Sequence, residues 1–261
     1  MPELPDVDGF RRVLAEHAAG REVSATVVHD REMLRNRSPQ GLGRTLKGRR
    51  FREPERRGKW LLAPIGDVVL LMHFGMTGLL AWEKSDTERH PHDRIVFRCR
   101  GGELRYRNMR RFGGVWVARD EEEAAAVTGR LGPDAVGLSR KAFQELLERR
   151  RGGIKSALLD QRLIAGLGNL LVDEILWTAR VHPEKQVRSL DRKRRNALFD
   201  ALRSTLRQSI PTGRVPRRRG WLTGVRDDRD ARCPRCNTRL RRTTVAGRPT
   251  RWCQRCQPAP R

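Results

Sequence analysis

The sequence predicts an α+β protein of two domains, and three observations carry that expectation. Residues 23 to 120 run in short alternating segments separated by turn formers, the pattern of β-strands joined by tight connections. Residues 138 to 208 instead place apolar side chains at helical spacing. Near the C-terminus, four of the five cysteines fall into two Cys-x-x-Cys pairs, which suits a small metal-held hairpin. A chain of 261 residues is long enough to bury two cores.

The first helix is expected from about Pro5 to Ala19, with Leu4, Val7, Phe10, Leu14 and Ala18 along one face and Gly20 as its end. Strands follow at Val23–His29, Leu46–Arg52, Trp60–Ile65, Val68–His73, Gly78–Glu83, Arg94–Arg100, Glu103–Arg107 and Gly114–Arg119. So many short strands with close connections suit a sandwich or a barrel. Glu121–Val127 reads as a short helix, which bounds a first domain at 1–130. Residues 131–137, rich in turn formers, read as a linker. Beyond it, Ser139 is placed to cap Arg140–Arg150, and further helices are expected at Ile154–Asp160, Asn169–Ala179 and Arg192–Gln208. Residues 210–230 look loop-like and close a helical domain spanning 138–230, and 231–261 form the cysteine hairpin.

The charge is extreme. Net charge is +25, and of 56 basic residues 49 are arginine and seven lysine. From Arg188 to Arg261 there are 22 Arg and Lys against 5 Asp and Glu, so +17 of the +25 lies there. Such a field points to a polyanionic partner, most simply nucleic acid. Neither a run long enough to span a membrane nor a signal-peptide pattern is present in the sequence, so a soluble, cytoplasmic monomer is expected. In that compartment thiols stay reduced. Cys233 and Cys236, with Cys253 and Cys256 beyond sixteen intervening residues, therefore read as the four ligands of one structural zinc ion, whose closed shell leaves no position for a substrate. Cys99 stands alone in a strand and reads as a packed thiol.

Several stretches carry chemistry. If Met1 is removed, Pro2 becomes a terminal secondary amine. Such an amine titrates near pH ~8 and is in part neutral and nucleophilic at cellular pH. Its condensation with an aldehyde carbon gives an iminium ion, charged without a proton and able to accept electrons. Glu3 is next in sequence and could move protons there. Gly166-Leu167-Gly168-Asn169 reads either as a plain helix corner or as a phosphate seat, with Asn169 the N-cap. Lys155 and the basic surroundings favour phosphate. Lys59 opens a strand in Arg57-Gly58-Lys59-Trp60. His73-Phe74-Gly75-Met76-Thr77-Gly78 and Asn108-Met109-Arg110-Arg111-Phe112-Gly113-Gly114 each end a strand on a glycine-flanked turn. There Met76 and Phe112 are either core or wedges for a base stack, with Arg110 able to bond an orphaned base. Arg248 stands at the tip of the cysteine hairpin.

Taken together these residues resemble the formamidopyrimidine-DNA glycosylase and endonuclease VIII family of base-excision repair enzymes. Pro2-Glu3-Leu4-Pro5, Lys59, Met76 with Arg110 and Phe112, Ile154 to Gln161, Gly166–Asn169 and the cysteine pairs occur in the family's order. The resemblance implies an N-terminal β-sandwich with flanking helices, a helix–two-turns–helix domain ending in a zinc β-hairpin, and double-stranded DNA with a damaged base in a basic cleft. It implies that Pro2 attacks the sugar C1′, that Glu3 protonates the sugar ring oxygen, that Lys59 joins them in the catalytic set, and that Lys59, Asn169 and Arg248 hold phosphates. His73 and Lys155 join the DNA-contacting set, and Met76, Arg110 and Phe112 fill the void left by the extruded base. Asp6 stands where the family has Glu, and Leu171 where Tyr is common. Residues 209–232 are shorter and more basic than the family's base-reading loop. Leu4 and the intact trio favour oxidised or ring-opened purines. The same chemistry on oxidised pyrimidines or on another, bulkier lesion class, and a non-catalytic DNA-binding zinc protein, are the alternatives.

Overall fold

The computed structural model describes residues 1–259. The chain divides into two compact units, Met1–Arg130 and Leu131–Arg261. In the first, the order is α1 (Leu4–His17), β1 (Val23–Val28), a 3₁₀ turn (Arg31–Met33), α2 (Pro39–Leu46), β2 (Glu55–Arg57), β3 (Trp60–Ile65), β4 (Val68–His73), β5 (Gly78–Glu83), β6 (Asp93–Cys99), β7 (Gly102–Asn108), β8 (Gly114–Ala118) and α3 (Glu121–Thr128). The strands form two four-stranded sheets, ordered β1-β6-β7-β5 and β2-β3-β4-β8, with every pairing antiparallel. One core draws Val23, Ile95, Phe97, Leu104 and Tyr106 from the first sheet and Leu61, Ala63, Leu70, Met72 and Val117 from the second. The architecture is therefore a sandwich, which decides between the two β alternatives. On β3 and β4 the opposite-facing Leu62 and Leu71 are also buried, beneath Ala124 of α3. Two covered faces explain why these strands read as nearly unbroken apolar runs.

The expected strand at Leu46–Arg52 is absent. Leu46 is the last residue of α2, Gly48 turns at φ +79°, and Arg50 and Phe51 make only isolated bridges to Glu22 and Ile65. The helix starts on Ser38, whose side chain accepts the Gly41 N–H, with Pro39 in its first turn. Gly41 and Gly43 weaken its sequence signal, while Leu42 and Leu46, one turn apart, anchor it in the core.

The second unit contains α4 (Arg140–Glu148), α5 (Ile154–Leu159), α6 (Asn169–Thr178), a 3₁₀ turn (Val187–Ser189), α7 (Arg192–Ser209), α8 (Leu222–Val225) and the antiparallel hairpin β9 (Arg241–Val245)–β10 (Arg248–Trp252). Ser139 caps α4 by accepting the Ala142 N–H, and Asp191 caps α7 through the Arg194 N–H. Helix α6 is buried from Leu171 through Trp177, which makes it the unit's central element. Residues 131–137 are strapped to this unit, with the Gly132 N–H on the Gln161 carbonyl and Ala135 on Ala165. Among the described residues no helix is long and apolar enough to cross a membrane.

Candidate active site

The N-terminus is fixed by a reciprocal cap. Glu3 is the N-cap of α1, its N–H donates to Asp6 Oδ2 at 2.8 Å, and its carboxylate faces the Asp6 N–H. The Asp6 carboxylate, short as it is, therefore serves to start the helix. Glu3 is buried and Pro2 half-buried. Leu4, Val7 and Leu14 bury the helix, and Phe10 packs on Phe74 at 4.4 Å between ring centroids. Pro2 thus stands two residues from a rigid element, as a positioned nucleophile requires.

Lys59 occupies the two-residue turn between β2 and β3, beside Gly58 at φ +59°. The strand begins one residue later, at Trp60. Trp60 pairs with His73 across β3–β4, and their rings lie 4.9 Å apart. Burial, and then the Lys59 cation, push the His73 imidazole down to about 4. The Gly75 N–H donates to its Nδ1 at 3.3 Å, which leaves the ring proton on Nε2. His73 is therefore neutral at cellular pH. The ring thus presents an Nε2–H donor and carries no charge.

The two glycine-flanked turns come together. A Cβ on Gly75 (φ +55°) would lie 2.1 Å from the Phe112 carbonyl oxygen, and one on Gly113 (φ +91°) 2.1 Å from the His73 carbonyl oxygen. Only glycine permits so close a backbone approach. Met76 and Phe112 are 38% and 50% exposed, so neither belongs to the core. The Arg110 guanidinium lies 5.5 Å from the Phe112 ring centroid. Met109, on the same turn, is 53% exposed and was not singled out from sequence.

In the second unit, Gln161 stitches the glycine turn. Its Oε1 accepts the Gly166 N–H at 3.0 Å, and its Nε2 donates to the Leu167 and Leu159 carbonyls at 2.9 Å. Two sequence expectations need correction. Gly168, and not Asn169, is the N-cap of α6. Asn169 occupies the first helical position and its Nδ2 donates to the Pro249 carbonyl at 2.8 Å, which couples it to the hairpin tip beside exposed Arg248. Lys155 is fully buried. Its Nζ reaches Asp173 Oδ1 at 2.6 Å and Thr250 Oγ1 at 2.7 Å, so it braces α5, α6 and β10 and is no phosphate ligand. Arg226 meets the other Asp173 oxygen at 3.0 Å.

Glu174, also missed from sequence, accepts the N–H groups of Thr223 at 2.9 Å and Leu222 at 3.3 Å. Burial pushes its carboxyl up to about 7 against the pull of those bonds. It ties down residues 210–230, which hold α8 and are less loop-like than the sequence reading.

The Sγ atoms of Cys233, Cys236, Cys253 and Cys256 all lie within 4.8 Å of one another. A tetrahedron of thiolates ~2.3 Å from an ion has edges of about 3.8 Å, so the four fit one metal ion. The Trp177 indole donates to Cys233 Sγ at 3.3 Å, and the Arg235 guanidinium stacks on the same ring at 4.2 Å. The end of α6 thereby fixes the cluster from outside.

The model of the formamidopyrimidine-DNA glycosylase N-terminal domain matches residues 1–115, and that of the H2TH domain of the same enzymes residues 131–218. The formamidopyrimidine-DNA glycosylase of Bacillus licheniformis is 32% identical over 274 residues, covering 98% of this chain and 99% of the relative. Among solved structures, Lactococcus lactis Fpg bound to abasic-site DNA superposes with a TM-score of 0.89 at 30% identity over 99% of this chain and all of that one. A variant of that protein with Fapy-dG-containing DNA gives 0.90 at 29% over 99% and 100%. Full-length similarity of this extent, on two matched domains, means that the chain belongs to the formamidopyrimidine-DNA glycosylase and endonuclease VIII family.

Proposed function

We propose that this protein is a DNA glycosylase and abasic-site lyase of base-excision repair, acting on duplex DNA that holds an oxidised purine. The observation that carries this reading is the exposed ridge of Met76, Arg110 and Phe112 on the unit whose start is the anchored Pro2-Glu3 pair. An apolar wedge with a guanidinium suits base extrusion, and a secondary amine suits covalent capture of the sugar. The nitrogen lone pair of processed Pro2 attacks C1′. The glycosidic C1′–N bond breaks and its electron pair leaves with the base, which takes up the proton that the newly bonded Pro2 nitrogen sheds, so that this nitrogen regains a lone pair. Glu3 protonates the sugar ring oxygen, the ring opens, and the pair on Pro2 nitrogen forms the iminium. The iminium then acidifies C2′–H, whose loss expels the 3′ phosphate. A second elimination expels the 5′ phosphate.

Lys59, Asn169 and Arg248 act as phosphate donors from three separate segments, as a kinked backbone requires. The four cysteines hold one zinc ion, a structural one, since four thiolates close its shell. Borohydride trapping on abasic-site DNA tests the chemistry. A covalent adduct is expected, lost in Pro2→Gly carrying an extra leading residue. An adduct that persists in that variant, or active protein whose mass retains Met1, sinks the reading. Duplexes each holding one defined purine or pyrimidine lesion test the lesion class. Faster release of pyrimidine lesions would overturn the purine assignment.

A further inference from the structure

We propose that Asn108 and Thr77 form a latch that positions the void-filling side chains before DNA arrives. The inference rests on the reading of Met76, Arg110 and Phe112 as that trio, and deepens it.

Asn108 ends β7 and is fully buried. Its Nδ2 donates to the Phe112 carbonyl at 2.6 Å and to Tyr106 Oη at 3.2 Å. Its Oδ1 accepts the Arg111 N–H at 3.1 Å and the Thr77 hydroxyl at 3.3 Å. Thr77 Oγ1 in turn accepts the Arg110 N–H at 3.0 Å. Tyr106 Oη donates to the His73 carbonyl at 2.8 Å, at the root of the other turn. Two side chains therefore hold the backbone of Arg110, Arg111 and Phe112, and one of them directly follows Met76.

The arrangement has a physical purpose. Met76 and Phe112 are apolar and exposed, so a slack loop would fold them back onto the protein surface. A loop ordered only on DNA would also lose conformational entropy at the moment of insertion. A satisfied, buried amide network fixes one loop geometry and removes both penalties. Arg111, at φ +58° and ion-paired to Asp30 at 2.9 Å, shows that the turn is held in a conformation uncommon for a side-chain-bearing residue. Asn108 and Thr77 act through the backbone of the trio and are positioning residues.

The test compares Thr77→Val, which keeps shape and loses the hydroxyl, with Thr77→Ser, which restores it, and with Asn108→Ala. Two readouts are needed. One is amide hydrogen exchange at Arg110 and Arg111 in the free protein. The other is single-turnover base release from a duplex with one formamidopyrimidine lesion, set against strand cleavage at a preformed abasic site, where no base has to be extruded. Thr77→Val should speed Arg110 exchange and slow base release by about tenfold while abasic cleavage stays within about twofold. Thr77→Ser should return both to normal, and Asn108→Ala should show the larger loss. Unchanged Arg110 exchange in Thr77→Val, or base release and abasic cleavage falling together, overturns the latch. Phe112→Ala separates the two ideas. If it releases the base at the wild-type rate, the wedge reading fails and the latch loses its purpose, whatever the exchange data show.

Discussion

His73 shows how one side chain reports its surroundings. Its pKa of about 4, set by burial and then by Lys59, lies well below the ordinary 6.5. Between those values the unfolded chain takes up a proton that the folded chain refuses, so stability falls as pH drops from about 6.5 to 4. The full stabilising effect is present above 6.5 and gone below 4. We expect the His73 ring resonances to stay constant from pH 8 to 5.5, and His73→Gln to flatten the acid arm of the stability profile. Titration of His73 near 6.5 would refute this. The neutrality was illegible in sequence because its causes are burial in the folded sheet and then the Lys59 charge in the β2–β3 turn. Lys155 misled for the same reason. A lysine near a glycine turn reads as a phosphate donor, and only the fold reveals that Asp173 and Thr250 enclose it. Met76 and Phe112 posed the opposite problem, since nothing local distinguishes an exposed apolar side chain from a core one.

At the scale of elements, the sequence located those whose own periodicity sets them. Strands β3, β4 and β5 have the expected bounds, and α4 to α7 agree to within two residues. Helix α2 and the polar edge strand β2 escaped because glycine in one and arginine in the other hide the pattern. Two contacts between elements carry predictions. Lys155 bonds α6 and β10 at once, so Lys155→Ala should destabilise the free protein by roughly 3–5 kcal/mol, the usual cost of breaking a buried pair. Arg248→Ala should leave the melting temperature unchanged and weaken DNA binding. If Lys155→Ala alters DNA affinity alone, the brace is wrong. Glu174 caps α8 through two backbone N–H groups. Glu174→Ala should free residues 210–226, and trypsin should then cut the Arg217-Arg218-Arg219 run about tenfold faster by local opening. Equal digestion of both proteins would show that the segment holds itself.

Across the whole molecule the net charge of +25 sets how DNA binding responds to salt. Each phosphate neutralised by a cation releases counterions, which adds about −0.9 to the slope of log affinity against log salt concentration. The three proposed phosphate donors differ in this respect, since Lys59 and Arg248 are cations and Asn169 is neutral. Lys59→Ala and Arg248→Ala should each weaken binding to an abasic-site duplex and make the slope shallower by about one unit. Asn169→Ala should weaken binding by a similar factor with no change in slope, because it removes a hydrogen bond and no charge. The measurement is affinity at four or five salt concentrations for each variant, with thermal melting as a control for folding. A slope that ignores Lys59 and Arg248 would mean that the arginine-rich surface as a whole holds the duplex. A slope that moves with Asn169 would mean that its loss displaces Arg248, to which the Asn169 bond to the Pro249 carbonyl ties it.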